Sequence, residues 1–511
     1  MKNHPQLPGT TLRLPFWSHG YFFQHRGLED TEDVTKTTMP ILCVLQSSVL
    51  RRVVHSCSAL AALCLLVPNL PLPAAPLPQL KVSDNHRFLV TENGQPFFWL
   101  GDTAWELFHR LNREEAELYL KNRAERRFTV IQAVVLAELD GLKDPNPYGH
   151  TPLTINDPTK PNEDYFKHVD WIVAKANSLG LYIGMLPTWG NQWHKTNAIF
   201  TVENAEIYGA WLGRRYKDAG LVWILGGDHP IQNETHKEVI RAMARGLRKG
   251  DGGAHLKTFH PPGEMGSARW LHDDEWLDFN MVQTGHSPES SNYGVIERDY
   301  ARTPAKPCMD GEPPYEYPPN ALPTHRSVGA LQVRRNAYWA VFAGAHGHTY
   351  GTHPIWQMYA PPRKPLWDVQ TPWYDALDLP GAMQLSHLKA LMLSRPYLSR
   401  LPDQELVVDG QGDGLGRIQA TRDGTRGRND ATYLMAYFPE HRRATINTAK
   451  LAAAELRGWW LNPRTGKATA LGVQPNKKTM PFEPPTNVSG EDWVLVLDDA
   501  AKNYPPPVTQ P

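Results

Sequence analysis

Two short stretches set carboxylates where they could do chemistry. In Leu221–Pro230, LVWILGGDHP, five apolar residues run unbroken, two glycines follow, and a carboxylate lands on Asp228. A short apolar run closed by glycine reads as a strand buried on both faces, and the glycines let the backbone turn sharply and approach a ligand closely. Lys306–Pro314, KPCMDGEPP, has the same shape and ends at Glu312, whose two following prolines rule out a helix there. Asp310 is close by, and strand alternation is read as pointing it elsewhere. If both runs are strands of an α/β barrel, Asp228 and Glu312 face each other across its mouth, at the strand ends where such barrels hold their chemistry. Two carboxylates in different environments are what glycoside hydrolysis needs. One stays protonated and donates to the leaving oxygen; the other stays ionised and attacks the anomeric carbon. Taken alone, Asp228 is equally a loop aspartate capping the next helix.

Other residues could line such a cleft. Asp102, ending the first strand, could bind a sugar hydroxyl or cap structure, and His229 could hydrogen-bond Asp228. Trp105, Trp189 and Trp193 could stack on a sugar ring or only pack as a wall. His260, Gln283 and His286 follow the fifth and sixth strands, and Trp356 could close over the cleft from the loop after the eighth. His346, His348 and His353 lie near that strand, but their spacing and the lack of carboxylates speak against a metal. No HExxH, CxxC or GxSxG occurs, and Gly285–Glu289 is only a near miss to the last. No metal and no cofactor are expected.

The elements that must position these residues alternate. Strands are read at Phe97–Asp102, Thr129–Ala137, Leu181–Gly190, the apolar run from Leu221 with Asp228 at its tip, Leu256–His260, Phe279–Thr284, Lys306–Asp310 and His346–Gly351. Helices are read at 112–126 (Asn112 as N-cap, Glu115 three residues on), 162–179, 203–217, 235–248 and 327–342. This rhythm predicts a (β/α)8 TIM barrel. Residues 80–96 read as a β-hairpin with a Glu-Asn-Gly turn, and Ser386–Leu398 as a bridging helix. After Leu401 the texture changes to short alternating strands, predicting a small all-β sandwich that packs on the barrel, because no Gly/Ser-rich spacer intervenes.

Composition narrows the partners. The 511 residues carry 53 basic and 53 acidic side chains, which leaves no footprint for nucleic acid or an anionic membrane. Beyond the leader, Cys308 stands alone, so no internal disulfide is available. Residues 1 to 38 show no periodicity. From Met39, expected to be the initiator in place of Met1, Arg51-Arg52, an apolar run Val53–Val67 and Pro71–Pro76 form a secretory leader. The run falls short of the ~20 residues of a membrane span, so a cleaved signal peptide is expected, with a retained anchor as the alternative. The organisation read is 1–76 extension and signal peptide, 77–400 barrel, and 401–500 β-sandwich, in a secreted or periplasmic protein.

Four motifs carry a resemblance. Trp99–Trp105 (WLGDTAW), Leu186–Gly190 (LPTWG), Trp223–Asp228 (WILGGD) and Asp310–Pro313 (DGEP) resemble, in order, the apiosidase-like glycoside hydrolases. The usual companion of that family is a β domain described as the collagen-binding domain of a collagenase. The resemblance covers about residues 80–500. It implies a barrel that cleaves apiose-containing units from pectic side chains with retention. It also implies that Asp228 is the acid/base after strand four and Glu312 the nucleophile after strand seven. Retention requires carboxyls about 5–5.5 Å apart. The competing readings are a non-catalytic carbohydrate- or matrix-binding protein on a barrel scaffold, or a glycosidase of the same clan on another linkage. The partner expected is an oligo- or polysaccharide substrate, with no nucleic acid and no membrane beyond that anchor.

Overall fold

The computed structural model describes residues 76–317 and 327–508. The leader read before residue 76 lies outside the described residues. No helix among the described residues is long and apolar enough to cross a membrane.

The strands form as the apolar runs predict. β1 (Trp99–Thr103), β2 (Val130–Val134), β3 (Tyr182–Leu186) and β4 (Leu221–Gly226) are followed by β5 (Lys257–His260), β6 (Asn280–Gln283), β7 (Cys308–Glu312) and β8 (Gly347–Tyr350). Every residue in them is buried, as parallel strands covered on both faces must be. They pair in parallel in the order β5-β4-β3-β2-β1-β8-β7-β6, and a short antiparallel strand, Met265–Gly266, extends β6. Between β5 and β6 the barrel closes without a regular ladder. The Asp278 N–H donates to Lys257 O at 2.9 Å, the Lys257 N–H to the Asp278 carboxylate at 2.7 Å, and the Thr258 hydroxyl to Phe279 O at 2.7 Å.

Helices α1 (Arg113–Glu125), α2 (Glu163–Ser178), α3 (Val202–Tyr216) and α4 (Glu234–Asp251) surround the sheet, with α5 (Tyr293–Tyr300) and α6 (Ala330–Phe342) behind β6, β7 and β8. α1 starts on the capping box read in the sequence: Asn112 Oδ1 accepts from the Glu115 N–H, and Glu115 Oε2 from the Asn112 N–H, both at 2.9 Å. Three readings need correction. Residues 80–97 make a three-stranded meander, with Leu80–Val82 added to the hairpin of Leu89–Thr91 and Pro96–Phe97. α5 has no counterpart among the helices read from the sequence; it is only eight residues long, and Asn292 before it makes no side-chain cap of the kind that marks α1. The bridging helix, α7, runs Pro380–Leu393, with its proline in the first turn where a missing N–H costs nothing.

From Leu401 the chain is all β. A six-stranded sheet faces a three-stranded one (Val407–Asp409, Ala444–Ile446, Met480–Phe482), and Ile418, Phe438, Ile446, Leu495 and Leu497 fill the space between them. Alternation turns the other face of Tyr433–Phe438 to the barrel, so Tyr433, Met435 and Tyr437 share one core with Trp339, Phe342 and Leu388. The two parts therefore pack directly. Tyr338 and Tyr437 stack with centroids 4.8 Å apart. Arg334 of α6 donates to both Asp492 oxygens at 2.9 and 2.7 Å, and Arg395 to both of Asp498 at 2.8 Å.

Candidate active site

The turn after β4 shows why its sequence is Gly-Gly-Asp. Gly226 and Gly227 take φ of 101° and 102°, and Asp228 follows at 60°. Only glycine adopts the first two without strain, and aspartate is among the few side chains that tolerate the third. Gly190, after β3, packs so close that a Cβ there would stand 2.2 Å from Gly227 O. Trp193 Nε1 holds Gly226 O at 2.9 Å from behind. The result lifts Asp228 into a cleft at the strand ends, with its backbone N–H donating to His260 Nδ1 at 3.4 Å. The Asp228 side chain is exposed on the cleft side. Its carboxyl is pushed up to about 6, first by desolvation against the surrounding protein and then by the negative charge of Glu312; His260, the Gln283 amide and His286 oppose the rise.

Glu312 ends β7 and is buried. The Tyr315 hydroxyl donates to Oε1 at 2.6 Å, His260 Nε2 lies 2.8 Å from Oε2, and His286 Nε2 lies 3.4 Å from Oε1. His260 thus bridges the two strand ends, with Nδ1 accepting from the Asp228 backbone N–H and Nε2 set against Glu312 Oε2. Burial alone would raise this carboxyl, but the two imidazoles outweigh it and hold Glu312 well below the usual carboxylate range. Strict alternation would put Asp310 on the same face as Glu312. A bulge separates them, since Val282 pairs with Asp310 and Gln283 with Glu312, so one residue of β6 spans two of β7. Asp310 turns outward and accepts from Thr284 Oγ1 at 2.7 Å and Asn292 Nδ2 at 2.9 Å.

The structure brings together Asp228, His260, Gln283, His286 and Glu312, with Trp105 and Trp189 beside them; the Trp105 ring lies 5.4 Å from Trp189 and 5.3 Å from His260. Both tryptophans are almost fully covered, at 2% and 3% exposure, and form wall, not open platform. Four expectations are corrected. Asp102 is fully buried outside the cleft, accepting from Tyr119 at 2.5 Å and Arg123 at 2.6 Å on α1. Trp193 packs behind β4 against Phe259 and His236. His229 turns from Asp228 toward Gly227 O (3.2 Å) and the His194 ring. Trp356 is a buried wall residue, not a flap. His346 sits between Trp99 and Phe279, while His353 sits against Tyr315 and Trp367. Among the described residues no His, Cys, Asp and Glu group could hold a metal ion.

Three site residues escaped the sequence reading. Tyr315 follows the Pro-Pro step and reaches back to Glu312, a contact that only the fold of that turn creates. Glu138 lies past β2, and its carboxyl is pushed well above its usual range by burial and by Glu106, Asp228 and Glu312. A carboxylate just beyond a strand end was the available signal. Trp367 stands in the loop after β8 with its ring 5.9 Å from His286. Buried polar atoms with no hydrogen-bond partner in the protein gather here: Gln283 Oε1, His286 Nδ1 and Trp356 Nε1. Groups of this kind suit a ligand rich in hydroxyls.

Residues 83–399 match the family described as "Apiosidase-like, catalytic domain", and residues 401–498 match "Putative collagen-binding domain of a collagenase". A solved structure described as a glycoside hydrolase is 36% identical, covering 84% of this chain and 98% of its own length, with a TM-score of 0.76. A glycoside hydrolase family 5 protein from Bacteroides vulgatus is also 36% identical over 84% of this chain and 96% of its own, with a TM-score of 0.77. No curated protein matches the chain.

Proposed function

The chain belongs to the apiosidase-like glycoside hydrolases, and from that membership we propose that it is a retaining glycosidase acting on pectic oligosaccharides, with Glu312 as nucleophile and Asp228 as acid/base. One observation carries the reading: two carboxyls in one cleft are shifted in opposite directions, Glu312 held ionised and Asp228 pushed up to about 6. Opposed shifts of this kind divide the roles of acid and base.

Glu312 attacks the anomeric carbon while protonated Asp228 gives its proton to the departing oxygen. Asp228, now ionised, takes a proton from water, and that water releases the sugar from the glycosyl-enzyme. Tyr315, His260 and His286 hold the attacking carboxylate in place. The pectic substrate rests on family membership, and export on the leader read in residues 51–76; both belong to the proposal. The decisive experiment follows the anomer first released from a pectin-derived oligosaccharide by proton NMR. Retention is expected. First release of the inverted anomer overturns the nucleophile assignment.

A further inference from the structure

Behind the catalytic pair, on the outer face of the barrel, lies a buried carboxylate that the mechanism does not use. Asp310 stands two residues before Glu312 on β7 and is fully covered. Burial pushes its carboxyl up to about 6, against the Asn292 and Thr284 side chains and the Glu312 backbone N–H, which favour the ionised form. Its Oδ1 is buried and has no hydrogen-bond partner among the described residues. A carboxyl raised in this way weighs against the fold once pH exceeds about 6. Stability is therefore a poor reason for its presence.

Its partners point to a different task. The bulge in β7 gives Asp310 and Glu312 opposite orientations, with Val282 paired to the first and Gln283 to the second. That bulge is gripped from both sides. From outside, Thr284 Oγ1 donates to Asp310 Oδ2 at 2.7 Å, and Asn292 Nδ2 donates to the same oxygen at 2.9 Å. The Asn292 amide also donates to Asn336 O on α6 at 2.9 Å, which ties the bulge to the helical layer. The Thr284 N–H donates to Glu312 O at 3.1 Å, so one residue holds both ends of the bulge. From inside, Gln132 Nε2 donates to Gly311 O at 3.0 Å. With the bulge flattened, strict alternation would set both carboxylates on one face, and Glu312 would lose its aim.

We propose that Asp310 is a positioning residue: from outside the barrel it locks the bulge of β7 and so aims Glu312 at the anomeric carbon. This rests on the glycosidase reading, in which Glu312 is the attacking group. Asp310 lies outside the cleft and acts as the acceptor of two hydrogen bonds, not through its charge.

The test separates the aim of Glu312 from substrate binding and from stability. Turnover of a pectin-derived oligosaccharide is measured, per folded molecule, for the wild type, Asp310→Ala, Asp310→Asn and Thr284→Val. Asp310→Ala should lower kcat about a hundredfold, the effect of roughly 1 Å of misplacement, with KM within about twofold. Asp310→Asn keeps an oxygen that can accept both bonds and should retain kcat to within about threefold. Thr284→Val removes one of the two bonds and should lower kcat about tenfold; it decides the matter if Asp310→Ala does not fold. Wild-type kcat in Asp310→Ala, or in Thr284→Val where that variant stands in, overturns the proposal, as does a raised KM at unchanged kcat. Equal losses in Asp310→Asn and Asp310→Ala overturn it too, since charge and not the brace would then matter. A wild type without turnover removes the glycosidase reading instead. Crystal structures of the wild type and the folded variants then decide the brace. A Glu312 carboxyl displaced from Tyr315 sustains it, and one left in place overturns it.

Discussion

Asp228 and Glu312 differ by what surrounds them, and pH should reveal it. Asp228 donates only while protonated, so kcat/KM should fall as pH rises through about 6. Glu312, held well below its usual range, stays ionised at every pH where the protein works, so no matching loss should occur near the ordinary carboxylate value. Stability has the same sign. A carboxyl raised from 3.8 to about 6 stabilises the fold below about pH 4, and that contribution is lost as pH climbs through about 6. Asp228→Asn should therefore flatten the fall in thermal midpoint between pH 4 and 7. It should slow substrates with poor leaving groups far more than activated aryl glycosides, which need little protonation. An equal loss on both would make Asp228 a binding residue. Glu312→Gln should abolish turnover, because an amide cannot form the glycosyl-enzyme; wild-type rates from that variant would remove Glu312 from the mechanism.

Turns and pairs of elements hold these side chains in register. A methyl at Gly190 would stand 2.2 Å from Gly227 O and 2.6 Å from His229 Nδ1, pushing the turn that carries Asp228. Gly190→Ala should lower kcat by about a hundredfold, the cost of roughly 1 Å of misplacement, while circular dichroism stays that of the parent. Asp102 works differently, as the anion that neutralises fully buried Arg123 between β1 and α1. Asp102→Ala leaves that guanidinium uncompensated and should cost about 3–5 kcal/mol in urea unfolding. The KM of the folded fraction should not change. A raised KM with unchanged stability would return Asp102 to the list of substrate ligands.

Across the whole molecule, the barrel and the β-sandwich are joined by a shared core and by buried ion pairs from α6 and the chain after α7. Arg334 is 3% exposed and its partner Asp492 not at all. Asp492→Ala should cost about 3–5 kcal/mol by stranding Arg334. Because the apolar contact is continuous, calorimetry should still show one transition, shifted down, for the whole protein. Two separated transitions in the wild type would show that the parts fold independently.

The chain alone determined the barrel, because buried parallel strands must be apolar throughout and helices must announce themselves with caps such as Asn112 and Glu115. It also marked Asp228 and Glu312, since glycines and prolines at strand ends are local necessities legible in one dimension. The tertiary structure decided which neighbours complete the site. Asp102, Trp193 and His229 sit beside cleft residues in sequence, yet face outward, because orientation follows from twist and from partners such as Arg123 and Gly226 O. The β-bulge that separates Asp310 from Glu312 is a matter of register between two strands, which neither strand encodes alone. Tyr315, Glu138 and Trp367 entered the site through turns whose conformation depends on distant contacts. A left-handed tryptophan held by Gln357 has no local signature, so only packing could place it there.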